Sequence, residues 1–145
     1  MRHQCCLSII FLLALASAAP SEDANSPPFR PQFYAFQNGV SFGSPENEAK
    51  TLKELGYDGI SQVHVGGAKL AETVEAYDKA RLNVLSVYLN VDDKPISADT
   101  VKPLAKREAL IELTVRKMTP QTVAAVRETA EMADKLKIRV ALYPH

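Results

Sequence analysis

Residues 83–115 read NVLSVYLNVDDKPISADTVKPLAKREALIELTV, a stretch in which two strand-like runs enclose a polar connection. The runs, 83–91 and 109–115, are rich in aliphatic and β-branched residues, which is typical of buried strands. Comparable runs begin at three other places, near Phe33, Tyr57 and Arg139. A strand therefore recurs roughly every 24 to 30 residues, with helical patterns in most of the gaps. Strands and helices that alternate in this way predict a parallel sheet with crossover connections.

Two dipeptides predict where helices begin. Ser44-Pro45 and Thr119-Pro120 each place a hydroxyl at the N-cap and a proline at the first helical position, an arrangement that helix N-termini favour. A shorter helix is predicted from about residue 101, and Pro103 restricts it to about its first turn.

Apolar residues at helical spacing predict which helix faces are buried. The second helix carries Leu70, Val74, Tyr77 and Ala80. The longest stripe lies on the last helix and consists of Val123, Val126, Ala130, Ala133 and Leu136. Because each helix has to cover a parallel sheet, we expect both stripes to pack in the core.

The first 18 residues have the layout of a secretory signal peptide. A short polar start with Arg2 precedes an apolar run at 7–16, and Ala16-Ser17-Ala18 provides small residues for cleavage. We expect cleavage after Ala18 and export to the periplasm or the medium. Residues 19–32 are rich in proline and predict an extended linker, so the folded domain is expected at 33–145.

Composition excludes several classes of function. Both cysteines, Cys5 and Cys6, lie in the predicted leader, so the mature protein is expected to have no disulfide, cysteine–metal site or cysteine nucleophile. The chain has 17 basic and 17 acidic residues, interspersed, which does not favour nucleic acid or an anionic membrane as a partner. The glycines do not form a phosphate-binding loop between a strand and a helix, so a dinucleotide site is not supported.

Polar residues near the carboxyl ends of the strands are the candidates for chemistry, because parallel strand–helix folds bind ligands there. These residues are Asn38, His64, Tyr88, Asn90, Glu112, Arg116, Tyr143 and His145. Two histidines, one carboxylate and several hydroxyl and amide groups around one rim are suited to a divalent metal or a polyol.

The residue types suggest separate roles for these candidates. Glu112 and His64 are the predicted acid–base residues, His145 is the predicted metal ligand, and the predicted substrate-binding residues are Asn38, Tyr88, Asn90 and Tyr143. Each has a structural alternative. Glu112 lies among apolar residues, where an unpaired carboxylate is costly, so it would otherwise pair with a neighbour such as Arg116 or point outward. His64 would otherwise be a hydrogen-bonded structural histidine.

Two segments resemble a known family. LKELGYDGI, residues 52–60, resembles the helix-to-strand signature L-x-x-x-G-[FY]-D-G-I-E of the xylose isomerase-like TIM barrels, the sugar phosphate isomerase/epimerase superfamily. VALYPH, residues 140–145, resembles the family's V-A-L-E-N-H and, more closely, the L-Y-P-H variant of exported bacterial members. The resemblance covers about residues 33–145. It implies a (β/α)₈ barrel, of which this sequence would supply the N-terminal half, about four and a half strand–helix units.

The resemblance also implies an activity. Members move a proton or hydride between adjacent carbons of a sugar, using a divalent metal (Mn, Mg, Zn or Co) and acidic groups at the barrel rim. The family's strand-five glutamate is Tyr143 here, the following histidine is retained as His145, and Ser61 replaces the strand-two acid. The remaining ligands belong to strands six to eight. An isolated half-barrel is therefore expected to be inactive.

Two other hypotheses remain open at this stage. The first is a non-catalytic, sugar-binding half-barrel that completes itself as a homodimer, which the loss of the strand-five glutamate favours. The second is a five-stranded flavodoxin-like domain, which suits the length but lacks a phosphate loop. Strand order separates the second from a barrel, because a barrel adds its strands sequentially.

Overall fold

A computed structural model describes residues 29–38 and 42–143. The chain divides into the units Met1–Arg30 and Pro31–His145, and every element below lies in the second unit. The predicted leader and most of the predicted linker lie outside the described residues, as does His145.

Strands and helices alternate along the second unit as the sequence predicts. The strands are β1 (Tyr34–Phe36), β2 (Gly59–Ser61), β3 (Asn83–Val84), β4 (Ser86–Val91), β5 (Leu110–Val115) and β6 (Arg139–Tyr143). The helices are α1 (Pro45–Glu54), α2 (Gly67–Lys79), α3 (Ala98–Val101) and α4 (Pro120–Lys135), and a 3₁₀ turn at Lys102–Leu104 follows α3.

Every strand pair among the described residues is parallel, and the strands follow one another in chain order. One sheet has the order β1-β2-β3 and the other β4-β5-β6. A bridge between Val63 and Val87 connects them, and the amide of Tyr88 donates to the carbonyl of Val63 at 2.9 Å. The fold is thus mixed α/β with small parallel sheets. Its sequential order differs from a flavodoxin-like sheet, in which the first strand lies inside.

The second and third predicted strands are less regular than the sequence indicates. The predicted third strand is interrupted at Leu85 and forms both β3 and β4. The second is a regular strand only over the three residues of β2, because Gln62 has a φ of 54°, in the left-handed region that a regular strand excludes. This residue resets the alternation of side chains, so that Ile60 and Val63, three residues apart, are both in the core.

β2 and β3 approach each other closely at Gly59. A Cβ atom at this position would lie 2.0 Å from the carbonyl oxygen of Asn83, its partner in the register. Only glycine therefore permits this strand pairing.

The two predicted helix starts are confirmed. Ser44 Oγ accepts a hydrogen bond from the amide of Asn47 at 3.3 Å, and Thr119 Oγ1 accepts one from the amide of Thr122 at 3.1 Å. The short helix begins at Ala98, three residues earlier than predicted, and Pro103 lies in the 3₁₀ turn rather than in α-helix.

One hydrophobic cluster joins the helices to one face of the sheets. The strands contribute Val87, Ile111 and Leu113, the segment after β2 contributes Val63, and α2 contributes Leu70, Val74 and Tyr77 as predicted. These side chains are at most 5 % exposed. The opposite face of β4, β5 and β6 is consequently the one that carries polar residues.

The stripe predicted on α4 is only partly confirmed, because the buried face of the helix is rotated relative to it. Ala133 is in the core, Val126 and Leu136 pack against the core, and Val123 and Ala130 are exposed. The buried residues are Thr122, Ala125, Thr129 and Ala133, whereas Val123 is 45 % exposed. The polar connection before α3 explains this rotation, because the amide of Ile96 donates to Thr129 Oγ1 at 3.0 Å. The apolar flank instead lines a groove of about 150 Å³ beside β6, together with Met118 and Leu142.

Candidate functional site

The polar face of β4, β5 and β6 brings together four of the predicted site residues. Tyr88 pairs with Glu112 in the register of β4 and β5, and Asn90 pairs with Thr114. Thr114 pairs in turn with Tyr143 on β6. Because residues paired across parallel strands project to the same side, Tyr88, Asn90, Glu112 and Tyr143 share one face.

Two neutral side chains hold the carboxylate of Glu112. Ser86 Oγ donates to Oε1 at 2.6 Å, and Gln62 Nε2 donates to Oε2 at 2.5 Å. Ser86 Oγ also accepts a hydrogen bond from the amide of Gln62 at 2.8 Å. Each carboxylate oxygen thus has a fixed partner, and the partners are themselves linked.

This arrangement corrects the expected alternatives for Glu112. The carboxylate does not pair with Arg116, which is exposed beyond the end of β5, and it does not point away into solvent. Gln62 was not among the predicted site residues. It reaches Glu112 because of its left-handed backbone, which a pattern of alternating residues does not reveal.

Three rings form a row beside Glu112. The centroids of His64 and Tyr88 are 5.1 Å apart with their planes tilted by 53°, and those of Tyr88 and Tyr143 are 5.3 Å apart in an edge-to-face arrangement at 82°. Aromatic rings whose centroids lie at such distances attract each other. The ring of Tyr88, in register with Glu112, is the middle member of this row.

Thr114 has a buried hydroxyl on this face. The residue is 1 % exposed, and its Oγ1 has no hydrogen-bond partner in the part of the chain that the structure describes. A buried polar atom left unpaired costs about 1–3 kcal/mol. The position between Asn90 and Tyr143 is therefore one where an additional polar group would be stabilising.

A second, partly buried network supports the backbone at His64, in the segment that follows β2. The hydroxyl of Tyr77 donates to Glu48 Oε1 at 2.9 Å, and Gln37 Nε2 donates to the same oxygen at 3.2 Å. Gln37 Oε1 accepts from the backbone amide of His64 at 3.2 Å. Burial raises the pKa of the Tyr77 phenol far above its ordinary value, and the hydrogen bond to Glu48 and its negative charge raise it further.

This network borders a cavity of about 410 Å³ between the first turns of α1 and α2. Glu48 is 7 % exposed, and Lys69 and Glu72 also line the cavity. The hydrogen bonds of Glu48 join α1 to α2 and to Gln37, the residue after β1, so we assign this carboxylate a structural task.

Two predicted site residues are not placed in the cluster. Asn38 is exposed in the turn after β1, and within the described ranges no hydrogen bond joins its side chain to the other candidates. His145, the predicted metal ligand, lies outside the described residues. In the described part of the chain, no group of three or more His, Cys, Asp or Glu side chains is placed to hold a metal ion. The described residues alone therefore do not assemble a metal centre.

Comparisons with known proteins give no relative. No protein-family model, curated protein or solved structure matches this chain. Among the helices of the described residues, none is both long and apolar enough to cross a membrane.

Proposed function

We propose that this chain is part of a sugar isomerase/epimerase-like protein whose polar sheet face binds a carbohydrate or a sugar derivative. The observation that carries the proposal is the carboxylate of Glu112, held by Gln62 and Ser86 and in register with the ring of Tyr88. A fixed carboxylate beside aromatic rings is suited to sugars, because hydroxyl groups donate to carboxylates and C–H faces pack on rings.

The proposal includes a (β/α)₈ barrel, of which the described strands form one part. Parallel strands in chain order, with helices on the apolar face and polar residues on the other, are what a barrel requires. The groove formed by Val123, Val126 and Leu142 supports it as well, since a further helix would cover these apolar side chains. In such a barrel the polar face lines the interior, near the mouth.

Glu112 is the proposed base. A carboxylate has about four lone-pair positions, of which Gln62 and Ser86 use two, so it retains the capacity to accept a proton. In an isomerisation, the proton on the carbon next to the carbonyl moves to Glu112. The electrons of that C–H bond form the C=C bond of an enediolate, and the π electrons of the carbonyl move onto its oxygen. The hydroxyl proton then passes to that oxygen, and Glu112 returns its proton to the neighbouring carbon as the second oxygen becomes the carbonyl.

The test uses protein isolated from its own source, so that any continuing chain or partner is retained. Its intact mass is measured first, because a complete barrel of about 250 residues would have a mass near 30 kDa. The protein is then incubated in D₂O with glucose or fructose, with and without Mn²⁺, Mg²⁺, Zn²⁺ or Co²⁺. Deuterium at C1 or C2, detected by NMR, is expected for wild type and not for Glu112→Gln.

The matched control is Glu128→Gln, which changes an exposed carboxylate on α4. It should exchange deuterium at the wild-type rate. Equal exchange by wild type and Glu112→Gln would show that Glu112 is not the base.

A second candidate function is a non-catalytic sugar-binding module that dimerises. This module is favoured by Tyr143, which stands where the family that the sequence resembles has a glutamate. A tyrosine ring binds sugars but is a poor metal ligand at neutral pH. Sugar binding without deuterium exchange, together with a dimeric mass in light scattering, would support the module rather than the isomerase.

A further inference from the structure

We infer that the group bound next to Glu112 is a cation, so that the ligand is an amino sugar or another polyol with a protonated amine. This inference rests on the proposed carbohydrate-binding function and names its substrate class. It depends on two independent features of the polar face, the uncompensated carboxylate and the row of rings.

The charge of Glu112 is not neutralised by the described residues. Its two hydrogen-bond donors, Gln62 and Ser86, are neutral. The ion pairs in the described part of the chain are Lys50–Glu54, Lys79–Glu75 and Arg107–Asp78, and none includes Glu112. A partly buried carboxylate without a counter-ion favours a positive ligand, which would regain the Coulomb energy that the site lacks.

The nearest basic side chains along β5 and β6 do not supply this charge. Arg139 donates instead to the backbone carbonyl of Glu108 at 2.8 Å, before the start of β5. Arg116 is exposed beyond the end of β5, and the ion pairs of the described residues do not include it.

The aromatic row provides a second attraction for a cation. Ring faces carry negative electrostatic potential and bind ammonium groups, the more strongly where an acidic residue adjoins them. Tyr88 on β4 is paired with Glu112 on β5. Its ring contacts those of His64 and Tyr143, so the three rings form a continuous aromatic surface. Tyr143 and His64 are both exposed.

The same features disfavour a phosphorylated sugar at this position. A phosphate next to Glu112 would place two negative groups together without a described lysine or arginine between them. The inference therefore separates ligands that differ in one substituent: amine, hydroxyl, acetamide or phosphate.

The preference for a cationic sugar is tested by isothermal titration calorimetry of the full chain at low salt and about pH 6.5. The ligands are glucosamine, glucose, N-acetylglucosamine and glucose 6-phosphate. Glucosamine is expected to bind about tenfold or more tightly than glucose, and glucose 6-phosphate more weakly than glucose. The preference should disappear in Glu112→Gln and persist in Glu128→Gln. It should also disappear in wild type near pH 9, where the amine is neutral.

Each outcome separates the inference from the function on which it rests. Equal affinity for glucosamine and glucose would overturn the cation and leave carbohydrate binding standing. Tetramethylammonium is titrated as a fifth probe. If it binds and no sugar does, the result would support a cationic ligand and overturn the proposed carbohydrate binding. If no probe binds, the inference is overturned. The wild-type comparison of charged and neutral sugars decides the matter even if Glu112→Gln does not fold.

Discussion

The side-chain amide of Gln62 donates a hydrogen bond to the carboxylate of Glu112, although fifty residues of chain separate the two. Gln62 leaves β2 in a left-handed backbone conformation, and Glu112 lies in the middle of β5. Backbone conformations of this kind cost of order 1–3 kcal/mol for a residue other than glycine and are common at functional sites. The contact thus joins a strained backbone to the central carboxylate of the candidate site.

Replacing Gln62 by glutamate should destabilise the protein in a pH-dependent way. Two carboxylates would meet where a 2.5 Å hydrogen bond now lies, so one of their pKa values should be raised in the folded state above the unfolded value of about 4.3. A raised pKa gives stability that is present below the unfolded value and lost as the pH rises through the folded value. Denaturant unfolding should therefore show a deficit against wild type that is large at pH 7 and shrinks toward pH 4.

The control for that variant is Gln62→Met, which removes the donor without adding charge. Its deficit, about 1–3 kcal/mol for the carboxylate left with one partner, should depend less steeply on pH than that of Gln62→Glu, because no second negative charge is added. A pH-independent deficit in Gln62→Glu would mean that position 62 does not contact Glu112 in solution.

Tyr77 should contribute to the alkaline limit of stability. Burial and the hydrogen bond to Glu48 raise its pKa, so the phenol stays protonated in the folded protein at a pH where the unfolded chain ionises. By linkage, this stability is fully present below the ordinary tyrosine pKa of about 10 and is lost as the pH rises above it.

Tyr77→Phe, compared with Tyr57→Phe on a partly buried tyrosine, measures that contribution. At pH 7 we expect Tyr77→Phe to lose about 1–3 kcal/mol of unfolding free energy, because buried Glu48 loses a donor. Between pH 9 and 11 its stability should fall less steeply than that of wild type. Identical slopes in all three proteins would show that Tyr77 ionises freely.

On α4 the burial of valine and threonine is the reverse of what hydropathy suggests. Thr129 is fully buried and its Oγ1 both donates to the carbonyl of Ala125 and accepts from the amide of Ile96, whereas Val123 is 45 % exposed. Thr129→Val leaves the Ile96 amide without its partner and should cost about 1–3 kcal/mol, and Val123→Thr should cost within about 0.5 kcal/mol. Urea unfolding of both variants checks the order, and the opposite order would place Val123 rather than Thr129 in the core.

These variants also mark what the sequence could and could not predict. Ser44 and Thr119 determine helix starts through contacts three residues away, so local pattern was sufficient. Alternation along a strand, which places Ser86, Tyr88 and Asn90 of β4 on one face, is a similarly local rule. The bond from Gln62 to Glu112 depends on a left-handed residue and on a register between distant strands, and neither follows from local pattern.

The rotation of α4 was missed for a related reason. Whether Val123 or Thr122 faces the core depends on the connection around Ile96, which is polar and has no periodicity. Its hydrogen bond to Thr129 favours the orientation of α4 that buries Thr122 and Thr129 over one that would bury Val123. Tertiary hydrogen bonding thus overrides the hydrophobic pattern at this helix.

Among the glycines that the structure describes, Gly59 should be the one at which a methyl group is tolerated least. A Cβ there would lie 2.0 Å from the carbonyl oxygen of Asn83, so β2 and β3 have to separate in Gly59→Ala. We expect a loss of about 3 kcal/mol or more in unfolding free energy. The matched control is Gly56→Ala, where φ is +83° but the Cβ would meet no atom within 4 Å; the left-handed backbone alone should cost about 1–2 kcal/mol. If the two variants unfold at the same denaturant concentration, β2 and β3 do not pair at Gly59 and Asn83.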